Sequence, residues 1–208
     1  MDFSADPLGP NNVLMFGTGP LTGTGAIGAS RYTVSCKSPL TLAVASSNAG
    51  GYFPSELKYA GWDMIILKGK SSEPVYLYIN DENVELRPAG EIWGKTTGET
   101  ETLLKEELGP AIKIACIGPA GENQVLVASV VNDGGRAAGR SGVGAVMGSK
   151  KLKAIVVRGT RGVHVAKPDD FRSEMLEIAG RVREMFKKAV MLYQYGTSYA
   201  CLLYTSDA

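Results

Sequence analysis

Histidine occurs once in these 208 residues, cysteine three times, and no acidic residue lies between Asp6 and Glu56. Each shortage excludes something. Cys36, Cys116 and Cys201 are widely spaced and odd in number, with no C-x-x-C pair, so no local zinc or iron–sulfur site can be built from them. Such usage suits a reducing compartment, and a cytoplasmic location is expected. His164, between Val163 and Val165, reads as an ordinary strand residue rather than a ligand. No apolar run reaches the roughly 18 residues of a membrane span. The start, Met1 to Asp6, shows no basic stretch followed by an apolar one, so no secretory signal is expected. A net charge of +1, from 22 basic and 21 acidic residues, leaves no basic excess. Neither nucleic acid nor a membrane surface is therefore expected as a partner.

What is abundant is glycine, at 26 residues, in a chain that is 44% hydrophobic with only 10 prolines. That excess points to tight turns and close approaches rather than disorder. Short β-type runs dominate: Val13 to Gly17, Tyr32 to Cys36, Leu42 to Ser46, a buried-type run Met64 to Leu67, Ile112 to Ile117, Gln124 to Val131 and Leu152 to Val157. Val75 to Ile79 and Val84 to Arg87 read as a hairpin joined through Asn80-Asp81-Glu82-Asn83. Helices are expected at Pro54 to Ala60, stopped by Gly61, and at Thr97 to Leu108, with Leu103, Leu104 and Leu108 on one side. Asp169 to Ala189 carries a stripe of Phe171, Met175, Ile178, Val182, Met185 and Phe186 expected to be buried. Many short strands without regular βαβ alternation imply an α+β domain with antiparallel or mixed sheets.

The most informative stretch is Gly135 to Lys150, where Arg136 and Arg140 stand in a segment with five glycines and little bulk. Its backbone can lie against a ligand, and the arginines offer forked donors to a phosphate or a heterocycle edge. Asn132-Asp133-Gly134 reads as the turn feeding it. The P-loop spacing fails, because Ser149 separates Gly148 from Lys150. Asn48-Ala49-Gly50-Gly51 lies between Arg31 on one strand and a short helix whose first amides favour an anion. Gly23-Thr24-Gly25-Ala26-Ile27-Gly28 fits G-x-G-x-x-G, but a strand pattern follows where a dinucleotide site needs a helix. The acid-free stretch also removes the ribose-binding carboxylate from its usual place. Gly118 to Asn123 reads as a rigid structural turn.

Together these segments resemble the N-terminal domain of the tungsten-containing aldehyde:ferredoxin oxidoreductase family. The likeness rests on Gly19 to Thr24, Arg31-Tyr32, Lys37 to Thr41, Asn48 to Phe53, Glu56 to Lys58, Ile117 to Asn123 and Asn132 to Lys150, in family order, and covers nearly all of Pro7 to Thr197. It implies a β-rich base of two sheets with few helices on which a bis-pyranopterin tungsten cofactor (tungstopterin) lies. Arg31 resembles a pterin-contacting arginine. Asn48, Ala49 and Gly50 resemble one phosphate and pterin loop, and Arg136, Ala137, Gly139 and Arg140 the other. The carbonyls of Asn48 and Ala137 resemble the ligands of a Mg²⁺ bridging the two pterin phosphates. Mg²⁺ favours oxygen ligands shared with phosphates, so an alanine can serve through its backbone.

The resemblance places tungstopterin binding in residues 7–165 and the start of a helical region in 166–197. The family's first strands, its [4Fe–4S] cysteines, its acid/base residues and its substrate cavity are all expected outside this chain. No catalytic residue is therefore assigned here, and the chain is expected to be a fragment that cannot turn over alone. The last residues, 198–208, lack any period and are expected to be a non-native tail. For the whole protein the resemblance implies oxidation of a small aldehyde to a carboxylic acid with ferredoxin as acceptor, and it leaves a homodimer open. A carboxylate or aromatic acyl-thioester reductase of the same family, and a non-catalytic module for a phosphorylated ligand, are the alternatives.

Overall fold

The computed structural model describes residues 4–188 and 194–196. Ala189, Thr197, Cys201 and the tail at 198–208 lie outside the described residues. The chain divides into two compact units, Met1–His164 and Val165–Ala208.

The first unit carries two sheets. Sheet 1 is antiparallel throughout and runs β3 (Val44–Gly50), β2 (Arg31–Lys37), β1 (Leu14–Thr18), β4 (Met64–Leu67). Its strands alternate: Leu14, Phe16, Tyr32, Val34, Cys36, Ala45 and Ala49 face the core, while Arg31, Thr33, Ser46 and Asn48 face outward. Sheet 2 runs β6 (Asn83–Pro88), β5 (Val75–Asn80), β10 (Leu152–Arg158), β7 (Lys113–Cys116), β8 (Val130–Asn132), β9 (Arg136–Ala138). All its pairs are antiparallel except β10 with β5. The α+β, two-sheet expectation holds.

Helices α1 (Phe53–Tyr59) and α4 (Val143–Ser149) pack against strands of both sheets. They complete a core that includes Phe16, Tyr32, Phe53, Leu57, Val146, Met147 and Ile155. The other face of sheet 2 buries Ile114, Cys116, Ala154 and Val156 under Leu104 of α2 (Thr97–Leu108). With both faces covered, β10 is almost continuously buried. Helix α2 starts with a reciprocal capping box between Thr96 and Glu99, which fixes its first turn. The hairpin β5–β6 closes over Asp81-Glu82, with Asp81 at a φ of 51°.

Five sequence expectations need correction. Val130–Asn132 alone is a strand in Gln124 to Val131, because short helix α3 (Pro119–Glu122) occupies the turn before it and residues 124–129 form turns that pack on α4. Met64 and Ile66 of β4 are half-exposed, since β4 is the edge of sheet 1. Leu103 points away from sheet 2, and of the three leucines only Leu104 is fully buried. His164 is exposed and lies beyond β10, outside any strand. In the second unit, the stripe on α5 (Pro168–Lys188) is half-buried at Phe171, Met175, Ile178 and Val182 and exposed at Met185 and Phe186. A single long helix has no second element of its own unit, among the described residues, to bury that stripe against. No helix of the described residues is long and apolar enough to cross a membrane.

Candidate functional site

Strand β3 is one edge of sheet 1 and β9 one edge of sheet 2, and the two edges lie beside each other. An edge strand leaves alternate backbone groups without a ladder partner. The residues singled out in the two glycine-containing segments fall on this junction: Arg31 opens β2, Asn48, Ala49 and Gly50 end β3, and Arg136 and Ala137 form β9.

Three of these are brought together by side-chain geometry. The Arg31 Nε donates to Asn48 Oδ1, while Asn48 Nδ2 donates to Thr33 Oγ1 at 3.2 Å. The Asn48 side chain is thus used to hold the guanidinium, and only its backbone is left to meet a ligand. A Cβ placed on Gly50 would lie 3.7 Å from Arg31 Nη1 and 3.9 Å from Arg136 Nη1. Two guanidinium groups from different sheets therefore reach the same bare backbone. Neither is ion-paired with a carboxylate among the described residues. Like charges converging without an ion-paired carboxylate favour an anion, and the forked donors fit a phosphate. Ala49 contributes backbone alone, because its methyl is buried in the core. Gly139 and Arg140 follow β9. Arg140 is fixed by its N–H, which donates to Ser47 Oγ at 3.0 Å, and its side chain is exposed. Ala137 is exposed on β9, opposite Val131. Among the described residues no cluster of His, Cys, Asp or Glu is arranged to hold a metal. Oxygen ligands for a cation would have to come from backbone carbonyls of these edges and from a bound phosphate.

Beneath the junction runs a buried hydrogen-bonded support. Tyr32 Oη donates to Asn132 Oδ1 at 2.9 Å, and Asn132 Nδ2 donates to the Gly50 carbonyl at 2.9 Å and to Asp133 Oδ2 at 2.8 Å. Burial, with the nearby Asp133 and Cys116, pushes the Tyr32 hydroxyl well above the usual phenol range, so it stays a donor. Asp133 Oδ2 also accepts the N–H groups of Tyr52 at 2.5 Å and Phe53 at 3.2 Å. The anion at the start of α1 is therefore the protein's own carboxylate. The expectation that these amides receive a ligand is corrected: a contact across 81 residues of sequence satisfies them first.

The glycine run Gly135 to Lys150 also divides differently from its reading as a single ligand loop. Only Arg136–Ala138 and the turn after it line the junction; Val143–Ser149 is helix α4, buried along its whole length. A Cβ on Gly144 would lie 2.5 Å from the Ser129 carbonyl oxygen, and one on Gly148 would lie 1.9 Å from that of Gly121. Those glycines let α4 touch neighbouring backbone, not a ligand.

A cavity of 540 Å³ opens beside Gly50. The Gly23 to Gly28 segment forms one wall, in turns that lead into β2 with no helix after Gly28, which agrees with the rejection of a dinucleotide fingerprint. Arg31 and Arg136 line it, and so does Lys113, which the sequence reading missed because no motif surrounds it.

Known proteins resemble this chain in sequence and in fold. Residues 1–159 match the family described as aldehyde ferredoxin oxidoreductase, N-terminal domain. The tungsten-containing aldehyde ferredoxin oxidoreductase of Pyrococcus horikoshii is 56% identical over 95% of this chain and 33% of its own length. The WOR-like subunit of the aliphatic sulfonate oxidoreductase of Pyrococcus furiosus is 37% identical over 88% of this chain and 30% of its own. Among solved structures, the active-site complex BamBC of benzoyl coenzyme A reductase superposes with a TM-score of 0.85 at 46% identity, covering 88% of this chain and 28% of that one. The chain spans about a third of the length of the curated relatives it matches most fully. On this match the chain belongs to the aldehyde ferredoxin oxidoreductase family, whose N-terminal domain it carries.

Proposed function

We propose that this domain is the cofactor base of an oxidoreductase, holding the phosphates and pterins of a bis-pyranopterin tungsten cofactor at the β3–β9 junction. The observation that supports this reading is the convergence of Arg31 and Arg136 on Gly50 with no ion pair to a carboxylate among the described residues. Arg31 and Arg136 would bind phosphate oxygen. Asn48 positions Arg31. Ala49, Gly50 and Gly139 present backbone without side-chain bulk, and Arg140 lies at the rim of the same junction. The carbonyls of Asn48 and Ala137, on facing sheet edges, would share a Mg²⁺ with the phosphates. When bound, the cofactor supplies the two-electron chemistry; the chain's own residues bind, orient and neutralise charge.

For the whole protein the reading is oxidation of a small aldehyde to a carboxylic acid with ferredoxin as electron acceptor, with a [4Fe–4S] cluster in the part beyond this chain. The name of the 56% identical relative supports it. The likeness to a benzoyl coenzyme A reductase complex supports a second reading, an aromatic acyl-thioester reductase built on the same base. The test is Arg136→Ala in a full-length protein carrying this domain. A phosphate that loses a charge-assisted partner is bound more weakly by about 1.5–3 kcal/mol. Tungsten per polypeptide, by elemental mass spectrometry, and pterin, by fluorescence after oxidation, should both fall. Unchanged contents of both would overturn the assignment.

A further inference from the structure

Lys113 opens β7, between β10 and β8, and reaches the same 540 Å³ cavity as Arg31 and Arg136. The volume lies in the range of small-molecule pockets. The ammonium sits 5.5 Å from the centroid of the Tyr52 ring and makes no ion pair among the described residues. The acids nearby are already engaged. Glu56, which also lines the cavity, accepts the Gly159 N–H at 2.9 Å and lies 3.9 Å from Arg158 Nη1. Asp133 is occupied by the Tyr52 and Phe53 amides and by Asn132. Three cations from three strands, β2, β7 and β9, thus face one space whose carboxylates are committed elsewhere. The opposite wall leaves room, since a Cβ on Gly25 or Gly28 would meet nothing within 4 Å.

We propose that Lys113 is the third cation of this anion site and binds, opposite Arg136, a phosphate group that carries an aromatic ring. The inference rests on the cofactor reading above and adds to it a residue that none of the glycine motifs contains. A lysine acts on phosphate as a compact point charge, where an arginine acts as a fork, so the two roles complement each other. The Tyr52 ring holds the ammonium over its face and keeps it aimed into the cavity while no anion is present. Tyr52 itself is 70% exposed, so its ring is open to stack on the ligand's own ring.

The test uses a full-length protein carrying this domain, purified without cofactor, and pyrophosphate as the probe, with binding followed by calorimetry at low ionic strength. Lys113→Gln should weaken binding about tenfold, the equivalent of a charge-assisted contact, with an unchanged melting temperature. Lys113→Arg should restore it, and Lys68→Gln, a remote exposed lysine, should leave it unaltered. If Arg136→Ala weakens binding and Lys113→Gln does not, the Lys113 assignment fails while the cofactor reading stands. Equal weakening by Lys113→Gln and Lys68→Gln would reduce the effect to overall charge and overturn the assignment. No saturable pyrophosphate binding by the unaltered chain would overturn both.

Discussion

Two groups of cations in the first unit are treated in opposite ways. Lys153, the second residue of β10, is fully buried and fully answered: its ammonium pairs with Glu122 and donates to the Lys95 carbonyl at 2.7 Å. Glu122 in turn accepts the Gly94 N–H at 2.9 and 3.0 Å. At the β3–β9 junction, Arg31 and Arg136 converge on Gly50 and form no ion pair with a carboxylate among the described residues. The first arrangement closes the fold around a charge, because a buried ion without partners costs several kcal/mol. The second leaves charge at the surface, where water screens it at little cost until a ligand replaces the water. The same chain therefore separates charges that serve folding from charges that serve binding, and what marks the second kind is the missing acid.

That contrast can be broken by measurement. The largest effect should follow Glu122→Ala, which leaves Lys153 buried and unpaired; about 3–5 kcal/mol of stability should be lost in urea unfolding at neutral pH. A loss below about 1 kcal/mol would mean that water or a rearranged loop answers Lys153, and the contrast would collapse. Asn132→Ala should cost less, about 1–3 kcal/mol, because it strands Tyr32 Oη and the Gly50 carbonyl in the buried support.

Cys36 and Cys116 give a pH test of the same core. Burial pushes both thiols up to about 12 from an ordinary value of 9.0. Their folded form holds protons that the unfolded chain releases, so this contribution is fully present below about pH 9 and lost as pH rises towards 12. The slope should approach 1.4 kcal/mol per pH unit for each thiol inside that window. Stability that stays flat across it, in guanidinium melts of the cysteine-containing chain against a Cys36→Ala, Cys116→Ala control, would contradict such burial. The smallest effect is expected at the junction itself. Arg136→Ala should change stability by no more than about 0.5 kcal/mol, whatever it does to ligand binding. A large loss would reassign Arg136 from binding to structure.

Much of the fold was legible locally. The hairpin around Asp81-Glu82, the span of α2 and the strand at β2 all follow from neighbouring residues, so their patterns could be read from the chain. Helix α4 was not legible, because its glycines look like loop residues until Ser129 and Gly121 are placed against them. Nor was β4's exposure, which depends on its standing at the end of sheet 1 rather than on its apolar composition. In the candidate site, Arg31, Asn48, Gly50 and Arg136 came from motifs. Lys113 did not, being an isolated lysine at the start of a strand, and Asp133 was read only as part of a turn, since the amide it caps lies 81 residues away.

By itself the sequence determined the β-rich α+β class, the two glycine-containing segments, their arginines and the family they resemble. Those depend on residue type and spacing, which survive in one dimension. Only the tertiary structure decided which charges meet. It turned Asp133 into the cap of α1, committed Glu56 to Gly159, and brought cations of β2, β7 and β9 to one cavity. Charge neutralisation depends on distance in space, and the sequence carries no measure of that.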